Sequence, residues 1–233
     1  MILDTNETLE LGRWYLSMLC FGVMFLPIQA STNQLNSAVL AATNALPIFL
    51  QFQVAHKAEL PAGGELKTSE FAKNAEVKEK PALGIPFQTL SLSLKDVRSY
   101  KPGNDVRLLF RPANKQIFPV TSGKRILGGI TVEQIGSEWK PSSYSTGGLV
   151  YELSAARDEI APSRSKNAEL PFLVQMKSMN YTFLGFHASN GNLLLRPLRP
   201  YPLIGLATNT NYSAETVLER LVPIAERYNG LPQ

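Results

Sequence analysis

Glu133 and Glu138 bracket a short turn, Trp139 adjoins the second of them, and Tyr144 follows a few residues on. Two carboxylates are the core equipment of glycoside hydrolysis: one protonates the leaving oxygen, and the other, roughly 5 to 10 Å away, serves as base or nucleophile. Aromatic rings beside them would stack on a sugar. The pattern makes Glu133 and Glu138 candidate residues of a hydrolase working outside the cytoplasm. The competing reading is a polar loop whose Trp139 anchors it to the core.

A second constellation is RPLRPYP, residues 196–202, set between the apolar runs LLL and LIGL. Each residue before a proline is pushed toward extended or polyproline geometry. Proline donates no backbone hydrogen bond, so the segment reads as an edge, bulge or crossover and not as a central strand. Its main expected role is a stiff joint between two strands. If it binds anything, Arg196 and Arg199 would hold a carboxylate, a phosphate or a partner chain beside Tyr201. Arg196, Arg199 and Tyr201, with Trp139 and Tyr144 second, are therefore the candidate ligand-binding residues.

Other chemistries find less to work with. His56 and His187 lie in different segments with no second His or Cys at ligand spacing, so no metal site is expected. The serines include no G-x-S-x-G elbow, and Gly123-Lys124 and Gly128-Gly129 lack phosphate-loop spacing. Ser145-Thr146-Gly147-Gly148 offers hydroxyls and amides that could cradle an anion, although loops of this composition usually just turn. No cofactor is implied, and the balance leans away from an enzyme.

The formal charge is +4, with basic residues scattered among acids from Lys95 to Lys115. Nucleic-acid binders concentrate positive charge in a stripe or cluster, so nucleic acid is not an expected partner.

Trp14 to Pro27 is an uncharged apolar run, too short for a comfortable bilayer span of about 20 residues. Pro27 breaks it, and Ala30 offers a small residue for a signal peptidase. Arg13 precedes the run and no Lys or Arg follows until Lys57, which orients the N-terminal side to the cytoplasm and exports the remainder. The leading Asp4, Glu7 and Glu10 fit an export signal poorly. A buried core helix or an apolar strand is the alternative. Removing residues 1–30 takes away Arg13 and those three acids, leaving a net +6. It also removes Cys20, so the mature part would carry neither disulfide nor thiolate.

Residues Ala38 to Ala55 are apolar enough to suggest a second membrane segment, but Asn44, Pro47, Gln51 and Gln53 oppose a span. Ile48 to Val54 nearly alternates, which predicts a half-buried strand. Residues 57–81 turn rich in Lys, Glu and Ala, a linker with a short helix from Thr68 to Lys80. From Leu83 onward FQTLSLSLKDV, DVRLLFR, KRILGGITVEQI, GLVYELSA and PFLVQMKSMNYTFLGF read as strands, with KPSSYSTGG and APSRSKN as turns. Asn190-Gly191 predicts a hairpin joining TFLGFHA to NLLLRPL. SAETVLERLVPIAERYNG is the clearest helix, capped by Ser213, with Val217, Leu218, Leu221, Ile224, Ala225 and Tyr228 on one face.

The sequence thus predicts an α+β fold, an antiparallel sheet of about five to seven short strands with the C-terminal helix packed on one face; a β-sandwich with a terminal helix is the competing choice. Residues 1–30 read as signal peptide or anchor, 31–81 as N-terminal strand and charged linker, and 82–233 as the α+β domain. The expected function is that of an exported, non-enzymatic accessory or binding protein, periplasmic, luminal or extracellular. Its partner would be a protein or a small anionic ligand. The alternatives are the carboxylate hydrolase and a membrane-tethered subunit of an envelope assembly, held by an uncut N-terminal segment.

Overall fold

The structure, a computed structural model, describes residues 32–59, 79–161 and 169–228. The export segment Trp14 to Pro27, Cys20 within it, and nearly all of the helix expected from Thr68 lie outside the described residues. The chain divides into two compact units, Met1–Leu35 and Asn36–Gln233. Of the first, only the helical residues from Thr32 are described; the second holds the sheet.

Helix α1 runs Thr32–Glu59. Its stretch Ile48 to Val54 is therefore helical, a correction to the predicted strand. Seven nearly alternating residues fit either period, but Ala38, Ala42, Ala45 and Phe49 recur at helical spacing and are fully or almost fully buried. They seat on Phe118, Val120, Ile130 and Val132. The Gln53 side-chain amide donates to the Leu127 carbonyl at 3.0 Å. Pro47 falls inside the helix on its exposed side, where it removes one helical hydrogen bond without disturbing the buried alanine face.

A short strand β1 (Ala82–Leu83) leads to β2 (Phe87–Leu92). The Leu90–Leu92–Leu94 alternation stops at Leu92, because Ser93 accepts from the Asp96 amide at 3.1 Å and caps helix α2 (Leu94–Ser99). Most of the expected strand DVRLLFR is instead a 3-10 turn, Val106–Leu109, begun by Asp105 accepting from the Arg107 amide; only its last two residues, Phe110 and Arg111, are strand. Strand β3 (Phe110–Ser122) follows, then β4 (Arg125–Ile135) and β5 (Glu138–Ser145). KPSSYSTGG was expected to turn; most of it is β5, an edge strand, which is where Pro141 is tolerated. GLVYELSA, expected as a strand, lies in helix α3 (Leu149–Ile160), whose Val150, Leu153, Ala156 and Ile160 are buried at helical spacing.

Strand β6 (Phe172–Met176) pairs with β7 (Tyr181–His187) across a tight turn with Asn180 in left-handed conformation. The predicted hairpin then joins β7 to β8 (Leu193–Pro197), closed by the Ala188 amide donating to the Asn192 carbonyl at 2.9 Å. LIGL is not a strand interior: Pro202–Ile204 form a 3-10 turn, and Tyr201 bridges to Leu206. Strand β9 (Tyr212–Ser213) leads into helix α4 (Ala214–Arg227), capped by Ser213 as predicted.

The strands form one sheet ordered β5-β4-β3-β2-β6-β7-β8-β9, with β1 paired to β3. Among the described residues it has nine strands, more than the five to seven expected, because β5 comes from a segment expected to turn and β1 and β9 are two-residue strands that no apolar pattern marks. It is antiparallel except where β2 meets β6, with Leu90 beside Val174. Each half of the sheet is a meander followed by a helix. Register parity places Phe87, Ile117, Leu173 and Leu184 on one face under α3. Leu90, Val174, Phe183 and Leu195 face the other way, under α4. Phe118 and Val120, under α1, share that second face, since a strand turns alternate side chains to opposite sides. The expected helix on one face is present, and α3 covers the other.

Gly128 and Gly129 explain how two helices approach one strand. A Cβ on Gly128 would stand 3.0 Å from Phe49 Cζ of α1 and 2.1 Å from the Ser145 carbonyl oxygen; one on Gly129 would stand 2.6 Å from Val150 Cγ2 of α3. This pair is a packing device.

Candidate functional site

The two predicted constellations resolve into separate places. Arg196 is almost fully buried near the end of β8, and its guanidinium bonds Glu159 of α3 and the Asn209 side-chain oxygen. It ties the α3 face of the sheet to the loop before β9. Tyr201 is buried on the opposite face, its ring edge-on to Tyr181 at 4.6 Å between centroids. Its hydroxyl accepts from the Thr182 amide and donates to the Thr182 carbonyl. Burial pushes this hydroxyl above the ordinary tyrosine range. Arg199 alone is exposed. The three residues do not converge on one ligand: the chain crosses the sheet edge between Arg196 and Tyr201, so five positions separate opposite faces.

Glu133 and Glu138 sit on the β4–β5 hairpin, where Glu133 pairs in register with Lys140 and Ile135 with Glu138. Lys115 approaches Glu133 at 4.0 Å and Lys140 holds Glu138 at 2.9 Å. The bond and charge from Lys140 hold the Glu138 carboxyl below its ordinary range. Both carboxylates thus face lysines across the same hairpin and its neighbouring strand.

Trp139 and Tyr144 turn to the other side of that hairpin and take part in seating α1. Tyr144 meets Phe49 and Phe52 at 6.4 and 6.1 Å between ring centroids. Trp139 packs into the same cluster, and its buried indole N–H has no hydrogen-bond partner among the described residues.

Ser145 to Gly148 forms the entry to α3. Gly148 occupies the cap position at φ 53, and no side chain caps the helix. His187 lies 3.3 Å from Glu169 and against Phe172. Among the described residues, no group of three or more His, Cys, Asp and Glu side chains is placed to hold a metal.

What sequence reasoning missed is the outward face of α1. From Thr32 to Ala55 the helix carries no charged side chain. Leu35–Ala55 is long and apolar enough to cross a membrane by length and composition. With Phe49 and the alanines on the sheet, Leu40 (61% exposed), Ile48 (53%) and Val54 (72%) remain open to solvent. The signal was present as a long charge-free run, but only a 3.6-residue period separates its two faces. No protein-family model, curated protein or solved structure matches the chain, so the functional reading rests on this geometry.

Proposed function

We propose that the protein is an exported, non-enzymatic accessory or binding protein, working by surface contact outside the cytoplasm. The observation that carries the contact reading is the outward face of α1, charge-free and partly apolar on a helix whose other face is already committed to the sheet. Interface cores are depleted of charge, whereas an ordinary solvent face is rich in it. The polar residues suited to catalysis or anion binding serve the frame: Arg196 with Glu159, Tyr201 with Thr182, and Glu133 and Glu138 with lysines. Export is supported by the apolar run Trp14 to Pro27 and by the placement of Arg13.

Two readouts test this. An export-dependent reporter enzyme fused after Gln233 is expected to be active, and removing residues 14–27 is expected to silence it. A photo-cross-linking side chain at position 48 is expected to form an adduct in cells, while one at the more open position 203 does not. A silent fusion overturns export, and the absence of any adduct from position 48 overturns the contact surface.

A further inference from the structure

We propose that the occupant of the outward face of α1 is a second copy of the same chain, its α1 lying antiparallel across a two-fold axis near Asn44. The proposal rests on the reading of this face as a contact surface and names its partner. Along the outward face Ser37, Leu40, Asn44, Ile48 and Gln51 form one stripe, all exposed, with Pro47 and Val54 exposed beside it. Successive steps of three and four residues keep it on one side of the helix, opposite Ala38, Ala42, Ala45 and Phe49.

The stripe is a palindrome in polarity. Counting outward from Asn44, Leu40 and Ile48 lie four residues away on either side, and Ser37 and Gln51 seven. A two-fold axis through Asn44 therefore sets Leu40 against Ile48 of the other copy, Ser37 against Gln51, and Asn44 against Asn44. An isologous contact requires such self-complementarity. The Asn44 amide suits the axis, because it carries both donors and an acceptor and can bond its own copy. A parallel pair would set like ends of the helix dipoles together, whereas the antiparallel pair opposes them.

A bilayer fits this face less well. Helices that lie on lipid keep an unbroken apolar stripe flanked by Lys and Arg. Here the centre of the stripe is an amide and no cation occurs between Thr32 and Ala55. Asn36 to Val54 spans about 28 Å of helix at ~1.5 Å per residue. One helix pair of that length covers less than the ~800 Å² per partner of a standard interface, so micromolar, concentration-dependent dimerisation is expected.

The experiment uses the full chain carrying Cys20→Ser. With a short bismaleimide, Asn44→Cys is expected to cross-link to itself. Leu40→Cys mixed with Ile48→Cys should cross-link about fivefold more than either alone. In sedimentation equilibrium, Leu40→Lys should weaken the dimer about tenfold or more, and adding Ile48→Glu to the same chain should restore it, since each lysine then meets a glutamate across the axis. Residues 40 and 48 are two turns apart and cannot pair within one helix, so rescue reports the second copy. A monomer up to about 100 µM, or cross-linking of Leu40→Cys mainly to itself, overturns the proposal. So does flotation with phosphatidylglycerol vesicles that Leu40→Lys strengthens and no second substitution reverses. A position-48 adduct in cells whose mass is not twice the chain overturns self-pairing while leaving the contact reading intact; no adduct at all overturns both.

Discussion

The hydroxyl of Tyr201 bonds both backbone groups of Thr182, accepting from the amide at 2.7 Å and donating to the carbonyl at 3.1 Å. Together with the Leu198 amide, which also donates to the Thr182 carbonyl at 3.2 Å, that oxygen pins the proline-rich joint after β8 to β7, and the ring closes the cluster formed with Tyr181 and Phe183. Tyr201→Phe keeps the ring and deletes both bonds. A buried donor left without its acceptor costs about 1–3 kcal/mol, and urea denaturation should show a loss of that size. Arg199→Ala, on the exposed part of the same joint, should change stability by less than about 0.5 kcal/mol. Comparable losses from both would remove the assignment of Tyr201 as the pin.

Stability should fall at high pH. Burial holds the hydroxyls of Tyr201 and Tyr181 protonated beyond the ordinary tyrosine range; for Tyr100 burial acts first and the nearby charges of Glu219 and Glu215 add to it. In the unfolded chain these groups ionise near pH 10, before they do so in the folded protein. Their contribution is therefore fully present below about pH 10 and is lost as pH rises through the higher folded values. Thermal unfolding from about pH 8 to pH 11.5 should show Tm dropping at the alkaline end, less steeply in Tyr201→Phe. Identical slopes would place the alkaline sensitivity elsewhere.

Arg196 and Glu159 should be energetically coupled. The guanidinium is buried while the Glu159 side chain remains 55% exposed, so the two single substitutions are unequal. Among the described residues, Glu159→Ala leaves the buried cation with Asn209 as its remaining side-chain partner; Arg196→Ala leaves a carboxylate that water can solvate, but also opens a gap under β8. A double-mutant cycle should give a coupling of about 1–2 kcal/mol. Additive losses would mean that the contact contributes nothing.

The glycine pair under the helices should respond asymmetrically. Gly129→Ala collides with the Val150 side chain, so Val150→Ala should recover much of an overpacking loss of about 1–3 kcal/mol. Gly128→Ala collides with the Ser145 backbone carbonyl as well as with Phe49, and Gly128 sits at φ 153. Phe49→Leu should therefore not rescue it. Rescue of both, or of neither, in chemical denaturation would contradict the placement of α1 and α3 on opposite faces.

Several elements were legible because their local chemistry had one solution. Asn190-Gly191 between apolar runs made a hairpin, and Ser213 ahead of Val217, Leu218, Leu221 and Ala225 made a capped helix with one buried face. The candidate site was legible only in part. RPLRPYP does join β8 to the next segment, but that segment is a 3-10 turn and not a second strand, and Arg196 and Tyr201, near in sequence, lie on opposite faces of the sheet edge. Trp139 and Tyr144 were recognised as exceptional without the helix that occupies them, since α1 is distant along the chain.

By itself, then, the amino-acid order determined the α+β class, the C-terminal helix, the β7–β8 hairpin and the end of β8 at the first proline of the joint. Each follows from turn chemistry, capping or a long periodic run, which act within a few residues. Tertiary structure decided that Ile48 to Val54 is helical, that GLVYELSA is helix and KPSSYSTGG mostly strand, and that a charge-free helix buries one side and exposes the other. Short apolar or polar segments satisfy two periods equally well, and only the neighbour that buries one face, here β3 and β4 beneath Ala38 and Phe49, selects between them.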